Sequence, residues 1–379
     1  MSELPAPELN ITLRRNLEHG GISDLTEFQK EAFAAISGGR DVVATAPTGT
    51  GKTAAYLLPL ISLLLREPEE VSPLLLILVP TRELCRQIAR VVQQFTKDLS
   101  LPALALYGGQ KDAAREDEEE ETPYWRILIA TPGRLVDLAG RKDSPLPQVG
   151  RIVLDEADRL LDTEFLDETL HILDRTPLPR QMIMVSATFP DDLRPVMQDL
   201  LHRPLTIRAA PAQTSTADGK IRPSVRQGVI FTEARQKPDI LRTLLLQRPD
   251  QSCIVFANTR EEAAATFRQL RSAKLSVVTL HGGMDQEARN KATDRFRSGR
   301  ATILITTDLV ARGLDIGQVR QIISLSPPET PETYIHRIGR TGRAGKTGWA
   351  VTLCTPSERS ALRKVEITQK QHLTVLPSP

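Results

Sequence analysis

Residues 41–53 read DVVATAPTGTGKT. The first five are of strand length with an apolar centre at 42–44, the middle is a loop of Gly, Thr and Pro, and the end opens a helix. Within the stretch, Ala46-x-x-x-x-Gly51-Lys52-Thr53 has the spacing of a phosphate-binding loop, with Ala where the first Gly usually stands. Gly49 and Gly51 allow the backbone around Thr48 and Thr50 to wrap a phosphate with its N–H groups pointing inward. The helix N-terminus adds about half a positive charge. Lys52 is placed to reach β- and γ-phosphates, and the Thr53 hydroxyl to ligate Mg²⁺. The competing reading is a Gly-rich strand–helix turn with no ligand; the strand before and the helix after favour the phosphate loop.

Working outward, short apolar runs alternate with amphipathic segments. Strands are expected at 41–45, 74–79, 103–106, 126–130, 151–154 and 181–185. Residues 82–97 form the clearest helical pattern, with Leu84, Ile88, Val91, Val92 and Phe95 on one face. Residues 209–224, AAPAQTSTADGKIRPS, break this rhythm. They are small and polar with no apolar period, and read as a flexible linker. The alternation then restarts, with strands near 228–231, 252–256, 275–279, 301–306, 321–325 and 348–353, and helices near 237–247, 260–274 and 286–298. Strands separated by helices imply doubly wound, mostly parallel sheets covered on both faces. The expectation is an α/β chain with one domain over 1–208, a linker over 209–224 and a second domain over 225–379, a ligand lying between them.

Composition narrows the possibilities. The chain has 379 residues, 40% hydrophobic and 25% charged, as an ordinary globular protein does. Forty-nine basic and 47 acidic residues leave a net charge of +2, so any nucleic acid must be held by local patches and backbone donors. Aromatics at 4% argue against broad base-stacking platforms. Cys85, Cys253 and Cys354 lie far apart and make no CxxC pair, which points away from disulfides and zinc and towards a reducing compartment. The first ten residues lack a signal pattern, and the longest apolar run, 73–80, is far too short for a membrane span. A soluble, cytoplasmic protein without membrane contact is expected.

Two acidic stretches stand out. Residues 151–154 form an apolar strand that runs into Asp155-Glu156-Ala157-Asp158. Acids at a strand's C-terminal end lie where open α/β sheets bind ligands. Asp155 is placed to hold Mg²⁺ through water, and Glu156 to orient and deprotonate an attacking water. By itself the tetrad also reads as an acidic helix start favoured by the dipole. Residues 116–121, EDEEEE, read as a solvated loop, with mimicry of nucleic-acid phosphate the lesser reading.

Taken in order, the motifs resemble those of the DEAD-box RNA helicases of helicase superfamily two, from about Leu25 to Leu353. They comprise 46–53, Pro80-Thr81-Arg82-Glu83-Leu84, Gly108-Gly109, Thr131-Pro132-Gly133-Arg134, 155–158 and Ser186-Ala187-Thr188. In the second half they continue with Ile254-Val255-Phe256, Gln286-x-x-Arg289, 307–315 and the run HRIGRTGR at 336–343. The resemblance implies two tandem RecA-like parallel-sheet domains, an ATP-dependent and RNA-dependent ATPase with Mg²⁺, and local duplex unwinding. By the same resemblance Arg340 and Arg343 are arginine fingers and Asp315 holds the nucleotide ribose. His336 links the second domain to the DEAD acids, and Ser186 and Thr188 couple the two domains. Thr81, Arg82, Gly109, Thr131, Gly133 and Arg134 would touch the RNA backbone from the first domain, and Thr259, Gln286, Arg289 and Thr307 from the second. Such residues suit phosphate and 2′-hydroxyl groups rather than base edges, so sequence-independent binding follows. For each Gly or Thr taken singly, a turn or helix cap is an equal reading.

The adenine-reading segment departs from the family pattern. Leu25-Thr26-Glu27-Phe28-Gln29 stands where Pro-Thr-Pro-Ile-Gln is usual, and residues 7–22 contain no aromatic to stack on a base. Gln29 remains, with an amide suited to adenine's edge. Weaker adenine selectivity is the expectation. No basic appendage follows Leu353, so substrate choice is expected to lie in the core, acting as a monomer, or in a protein adaptor. The alternatives are an ATP-gated RNA clamp or remodelling scaffold, a DNA translocase, and a catalytically silent relative; intact Lys52, Glu156, Arg340 and Arg343 speak against the last.

Overall fold

The computed structural model describes residues 9–47, 50–68, 74–108, 125–140, 144–209, 213–215, 221–223, 225–311, 319–342, 347–369 and 371–379. It divides into two compact units that meet in sequence near residue 211.

The first unit is built on seven parallel strands, β1 (Val42–Thr45), β2 (Leu74–Leu78), β3 (Ala103–Leu106), β4 (Ile127–Ala130), β5 (Val149–Asp155), β6 (Gln181–Ser186) and β7 (Leu205–Arg208). Their order in the sheet is β3-β4-β2-β5-β6-β1-β7. The central strands are Leu, Ile and Val runs because both faces are covered. Along β2, Leu75 and Ile77 point into one core, while Leu74, Leu76 and Leu78 point into the other. The first core is closed by α1 (Ile11–His19), α2 (Glu27–Ser37), α3 (Lys52–Arg66) and α4 (Arg82–Phe95). The second is closed by α5 (Pro132–Ala139), α6 (Ala157–Leu160), α7 (Leu166–Leu173) and the turn before α8 (Arg194–Leu200).

Within the stretch expected to be a flexible linker, β8 (Gln213–Ser215) pairs antiparallel with β9 (Ile221–Pro223). Nothing in the apolar pattern marks this pairing, because it is backbone to backbone.

The second unit repeats the first in plan, with β10 (Val225–Phe231), β11 (Cys253–Ala257), β12 (Val277–Leu280), β13 (Ile303–Thr307), β14 (Gln321–Ser324), β15 (Gly348–Cys354) and β16 (Thr374–Val375). The order is β12-β13-β11-β14-β15-β10-β16. Helices α9 (Lys237–Leu246) and α10 (Arg260–Ser272) cover one face. On the other, α11 (Gln286–Arg297) packs through Ala292 and Phe296 and α12 (Asp308–Ala311) through Val310 and Ala311. Helices α13 (Pro331–Ile338) and α14 (Arg359–Gln369) form a smaller cluster around Tyr334, Leu362 and Val365.

The expected strands are present within a few residues, and two edge strands, β7 and β16, are additional. Both are too short and too exposed to show a period, and each exists by pairing with its neighbour, β1 or β10. Helix α4 ends at Phe95 rather than Lys97; Thr96 is its C-cap, and Asp98 at φ 59, a left-handed conformation, turns the chain away. Among the described residues no helix is long and apolar enough to cross a membrane.

Candidate nucleotide and RNA site

All strands of a parallel sheet end at the same edge, so the loops that follow them share it. In the first unit the strand order places the ends of β1, β6 and β5 side by side, and those of β2, β4 and β3 side by side. Residues of the phosphate loop, Ser186, Thr188, Asp155 and Glu156 thus occupy one half of the edge. Thr81, Arg82, Gly108, Thr131, Gly133 and Arg134 occupy the other.

In the first half, β1 leads into Ala46, whose N–H donates to the Ser186 carbonyl at 3.0 Å and ties the phosphate loop to β6. Gly51 caps α3 at φ 82, a left-handed conformation that glycine adopts without steric cost. Lys52 and Thr53 form the first turn. One turn on, the buried Tyr56 hydroxyl donates to Asp155 Oδ2 at 3.0 Å. Asp155 is 4% exposed, and burial pushes its carboxyl up to about 6. Nearby Lys52 favours the charged form, Glu156 opposes it, and hydrogen bonds from Tyr56 and the Glu156 N–H favour it. Burial and the adjacent Asp155 charge push the Tyr56 phenol upward, opposed by its hydrogen bond with Thr53. Thr53, Tyr56 and Asp155 are therefore one connected group.

Glu156 caps α6 with φ 56 and ψ 50. A carboxylic residue held in this region stores about 1–3 kcal/mol of backbone strain, which local contacts must hold in place. Glu156 Oε2 is buried, and no hydrogen-bond partner reaches it among the described residues. A carboxylate oxygen with open lone pairs suits a group that accepts a proton from water. Thr188 is engaged within its own unit, its hydroxyl donating to Asp158 Oδ2 at 2.7 Å. Its N–H lies 3.4 Å from Ser186 Oγ.

Gln29 is 5% exposed and hydrogen-bonded at each end of its amide, with one acceptor site and one N–H donor left over. Its Oε1 accepts from the Thr26 N–H at 2.9 Å in a capping box, and its Nε2 donates to the Gly51 carbonyl at 3.3 Å. A Cβ on Gly51 would meet Gln29 Nε2 at 2.4 Å, so the glycine also makes room for this contact. Gln29 thus braces the phosphate loop, a role that its place in the sequence did not suggest.

In the second half, Thr81 caps α4 by accepting from the Leu84 N–H at 3.2 Å. Exposed Arg82 lies against Gly108, where a Cβ would sit 2.8 Å from Arg82 Nη2. Thr131 precedes α5 without a side-chain cap bond, Gly133 is exposed in its first turn, and Arg134 is half-buried with Asp137 3.9 Å away.

The second unit presents the same kind of edge. β11 leads into Asn258 and Thr259, β13 ends at Thr307 just before Asp308, and β12 leads to Gln286 and Arg289 on α11. Thr259 caps α10, accepting from the Glu262 N–H at 3.1 Å, while Thr307 is buried and Arg289 half-buried. Sequence reasoning assigned no role to Arg337, yet it organises this edge. It is 1% exposed, and its Nε and Nη2 donate to Asp308 at 2.7 Å each. Nη2 also donates to Asn258 Oδ1 at 2.7 Å and Nη1 to the Ser326 carbonyl at 2.9 Å. One guanidinium thereby pins the ends of β11, β13 and β14. The available signal was an Arg three residues before Arg340 and an Asp directly after Thr307.

Arg340 follows α13 and is 7% exposed; His336, on the same helix, is 6% exposed. The chain beyond Arg340 is held by the Thr341 hydroxyl, which donates to the Val319 carbonyl at 2.6 Å. Thr48, Gly49, Gly109, Asp315 and Arg343, and the acidic run 116–121, lie outside the described residues, as does the side chain of Gln286.

Among the described residues no group of three or more His, Cys, Asp or Glu side chains could hold a metal by itself. The donors present nonetheless fit Mg²⁺. One buried carboxylate and one hydroxyl leave the remaining octahedral positions to phosphate oxygens and water, as this ion prefers.

Residues 26–196 match the family model for the DEAD/DEAH box helicase, and residues 236–345 that for the helicase conserved C-terminal domain. RNA helicase CrhR of Synechocystis is 37% identical over 95% of this chain and 71% of its own length. DEAD-box ATP-dependent RNA helicase CshC of Bacillus cereus is 34% identical over 92% of this chain and 87% of its own. Among solved structures, Saccharomyces cerevisiae Dbp5 bound to RNA and ADP BeF3 is similar with a TM-score of 0.83 and 28% identity, covering 98% of this chain and 94% of that one. With a phosphate loop, a DEAD tetrad and a second parallel-sheet unit behind them, these matches place the chain among the DEAD-box ATP-dependent RNA helicases.

Proposed function

We propose how the residues of this ATP-dependent RNA helicase divide the work. The observation that carries the proposal is the partition of the first unit's sheet edge into a half bearing Lys52, Thr53, Asp155 and Glu156 and a half of Thr, Gly and Arg residues. The boundaries 1–208, 209–224 and 225–379 are the working division into ATP-binding domain, linker and second helicase domain.

Backbone N–H groups of the loop at 46–53 and the Lys52 ammonium hold the triphosphate of ATP. Thr53 and Asp155, the latter through water, would hold Mg²⁺, which neutralises charge on the β- and γ-phosphates when bound. Glu156 accepts the proton of the attacking water at its unpartnered Oε2. Gln29 and Asp315 serve the base and ribose. Arg340 and Arg343 come to the γ-phosphate only when RNA is also bound, a contribution worth roughly 10³–10⁵ in rate in comparable phosphoryl transfers. Ser186, Thr188 and His336 couple the two units. ATP and RNA then bias the same state, so each strengthens the binding of the other.

RNA is held through its backbone, without sequence preference, by Thr81, Arg82, Gly109, Thr131, Gly133 and Arg134 and by Thr259, Gln286, Arg289 and Thr307. The protein acts as a monomer, in the cytoplasm, with an adaptor protein supplying choice of substrate. The buried free thiols of Cys85, Cys253 and Cys354 suit a reducing compartment.

ATP hydrolysis measured without nucleic acid, with RNA and with DNA tests the reading. Stimulation by RNA alone is expected, and equal stimulation by DNA would refute it. Glu156→Gln should keep ATP and RNA binding but abolish turnover. Strand displacement on a short duplex separates unwinding from the clamp alternative.

A further inference from the structure

The second unit carries a concentration of cations that this site does not use. Helices of a doubly wound sheet run antiparallel to its strands, so their C-termini gather at the edge opposite the strand ends. There α10 finishes with Arg268 and Arg271 and is followed by Lys274, while α11 finishes with Arg295 and Arg297 and is followed by Arg300. All six side chains are exposed. Helix α10 packs on one face of the sheet through Leu270 and α11 on the other through Phe296. Their trailing loops are stitched together at the corner of adjacent β12 and β13. The Ser276 carbonyl accepts from the Thr302 and Ile303 N–H groups at 3.1 Å each, and Ser276 Oγ donates to the Arg300 carbonyl at 2.8 Å. The cations of both faces therefore meet at one corner, and Asp294 is the one acid in residues 268–274 and 291–300. A chain of net charge +2 has concentrated positive charge here.

Helix ends explain part of this. Cations in a last turn complement the dipole, which accounts for Arg271, Arg295 and Arg297. Lys274 and Arg300 lie beyond the helices. Lys274 also occupies φ 59, where Gly or Asn would be less strained. The same helices begin at the proposed RNA contacts, α10 directly after Thr259 and α11 at Gln286 and Arg289. At 1.5 Å per residue, the 13 residues of α10 place the corner about 20 Å away. That is roughly six nucleotides at a stacked spacing of 3.4 Å.

Resting on the functional reading above, we propose that this corner is a second, sequence-independent RNA contact. It holds nucleotides that flank the segment bound at the strand ends. Guanidinium and ammonium groups match phosphate oxygens, and the enzyme's own polyanionic substrate already starts at the other end of the same two helices.

The test compares the full chain with a triple variant, Arg271→Gln, Lys274→Gln and Arg300→Gln, by fluorescence anisotropy in the presence of a non-hydrolysable ATP analogue. The probes are single-stranded RNAs of about 8 and about 25 nucleotides, the first within and the second beyond the roughly 4–16 nucleotides of a single-strand site. The unchanged protein should bind the longer RNA more tightly and with a steeper salt dependence. The variant should bind both lengths alike, its log–log salt slope on the longer RNA lower by about 2, from roughly 0.7 per lost phosphate contact. Affinity for the short RNA and the ATP hydrolysis it stimulates should not change. An unchanged affinity for the longer RNA overturns the proposal. So does an equal loss on both lengths, which would assign these residues to the primary site. Loss of polyglutamate binding with RNA binding intact also overturns it, by assigning the corner to an acidic protein. Absence of RNA-stimulated hydrolysis in the unchanged protein would remove the functional reading as well, a signature distinct from lost length dependence.

Discussion

Replacing Arg337 by Lys keeps the charge and removes the fork. In the structure one guanidinium makes four hydrogen bonds, two to Asp308, one to Asn258 and one to the Ser326 carbonyl, all between 2.7 and 2.9 Å. An ammonium on a shorter stem can keep the Asp308 contact but cannot also span Asn258 and Ser326. Breaking a buried ion pair costs about 3–5 kcal/mol. Here Asp308 keeps a neighbouring cation, and its side chain is 25% exposed and can hydrate, so about 2–3 kcal/mol is expected. The assay is urea unfolding of the second unit. The chain has two tryptophans, Trp125 in the first unit and Trp349 in β15, so a Trp125→Phe background leaves Trp349 as the single reporter. Thr259 and Thr307 adjoin the two pinned residues, so the RNA concentration that half-saturates ATP hydrolysis should rise about tenfold, the equivalent of 1.4 kcal/mol. A stability loss below about 1 kcal/mol together with unchanged half-saturation would refute the hub as described.

Asp155 gives a pH dependence. Its folded carboxyl titrates near 6, above the usual value, so folding favours the protonated form. Stability contributed by this group is present at low pH and is lost as pH rises through about 6, while the ionised form needed for Mg²⁺ is lost as pH falls through the same point. At limiting Mg²⁺, kcat/KM for ATP should therefore fall below pH 6, and Tyr56→Phe, which removes a bond to the ionised form, should move that limb upward; a limb that stays put would contradict the Tyr56 contact. Gly348→Ala would bring a Cβ to 2.1 Å from Thr341 Oγ1 and 2.7 Å from the Gly342 backbone nitrogen, forcing the segment after Arg340 to shift. Thermal unfolding should show about 1–3 kcal/mol of overpacking, with a loss of RNA-stimulated hydrolysis at temperatures where the variant is still folded. Gly108→Ala meets only the flexible end of Arg82, so stability should change by less than about 0.5 kcal/mol while RNA affinity weakens several-fold, as read by anisotropy.

The nucleotide half of the site was legible because its parts are local. A phosphate loop must be contiguous, since neighbouring N–H groups wrap a single phosphate, and an acidic pair at a strand end needs only the strand before it. Arg337 was not legible, because its partners Asp308, Asn258 and Ser326 lie 29, 79 and 11 residues away. Gln29 was read as a residue for adenine's edge; its contact with the Gly51 carbonyl, 22 residues on, was not legible for the same reason. Thr81 and Thr259 are helix caps in the structure, and a threonine's identity by itself does not tell a cap from a phosphate ligand.

Local pattern was enough to establish two runs of alternating strand and helix, the parallel sheets that such alternation requires, and the motifs at their strand ends. It could not establish the order β3-β4-β2-β5-β6-β1-β7 or its counterpart in the second unit. Leu, Ile and Val runs pair almost interchangeably, so neighbour choice depends on how crossover helices pack over the whole sheet. That choice sets Asp155 beside Tyr56, separates the phosphate half of the edge from the Thr-Gly-Arg half, and brings Lys274 and Arg300 to one corner. Chemistry was written residue by residue along the chain, but adjacency came from long-range packing that no short window of sequence contains.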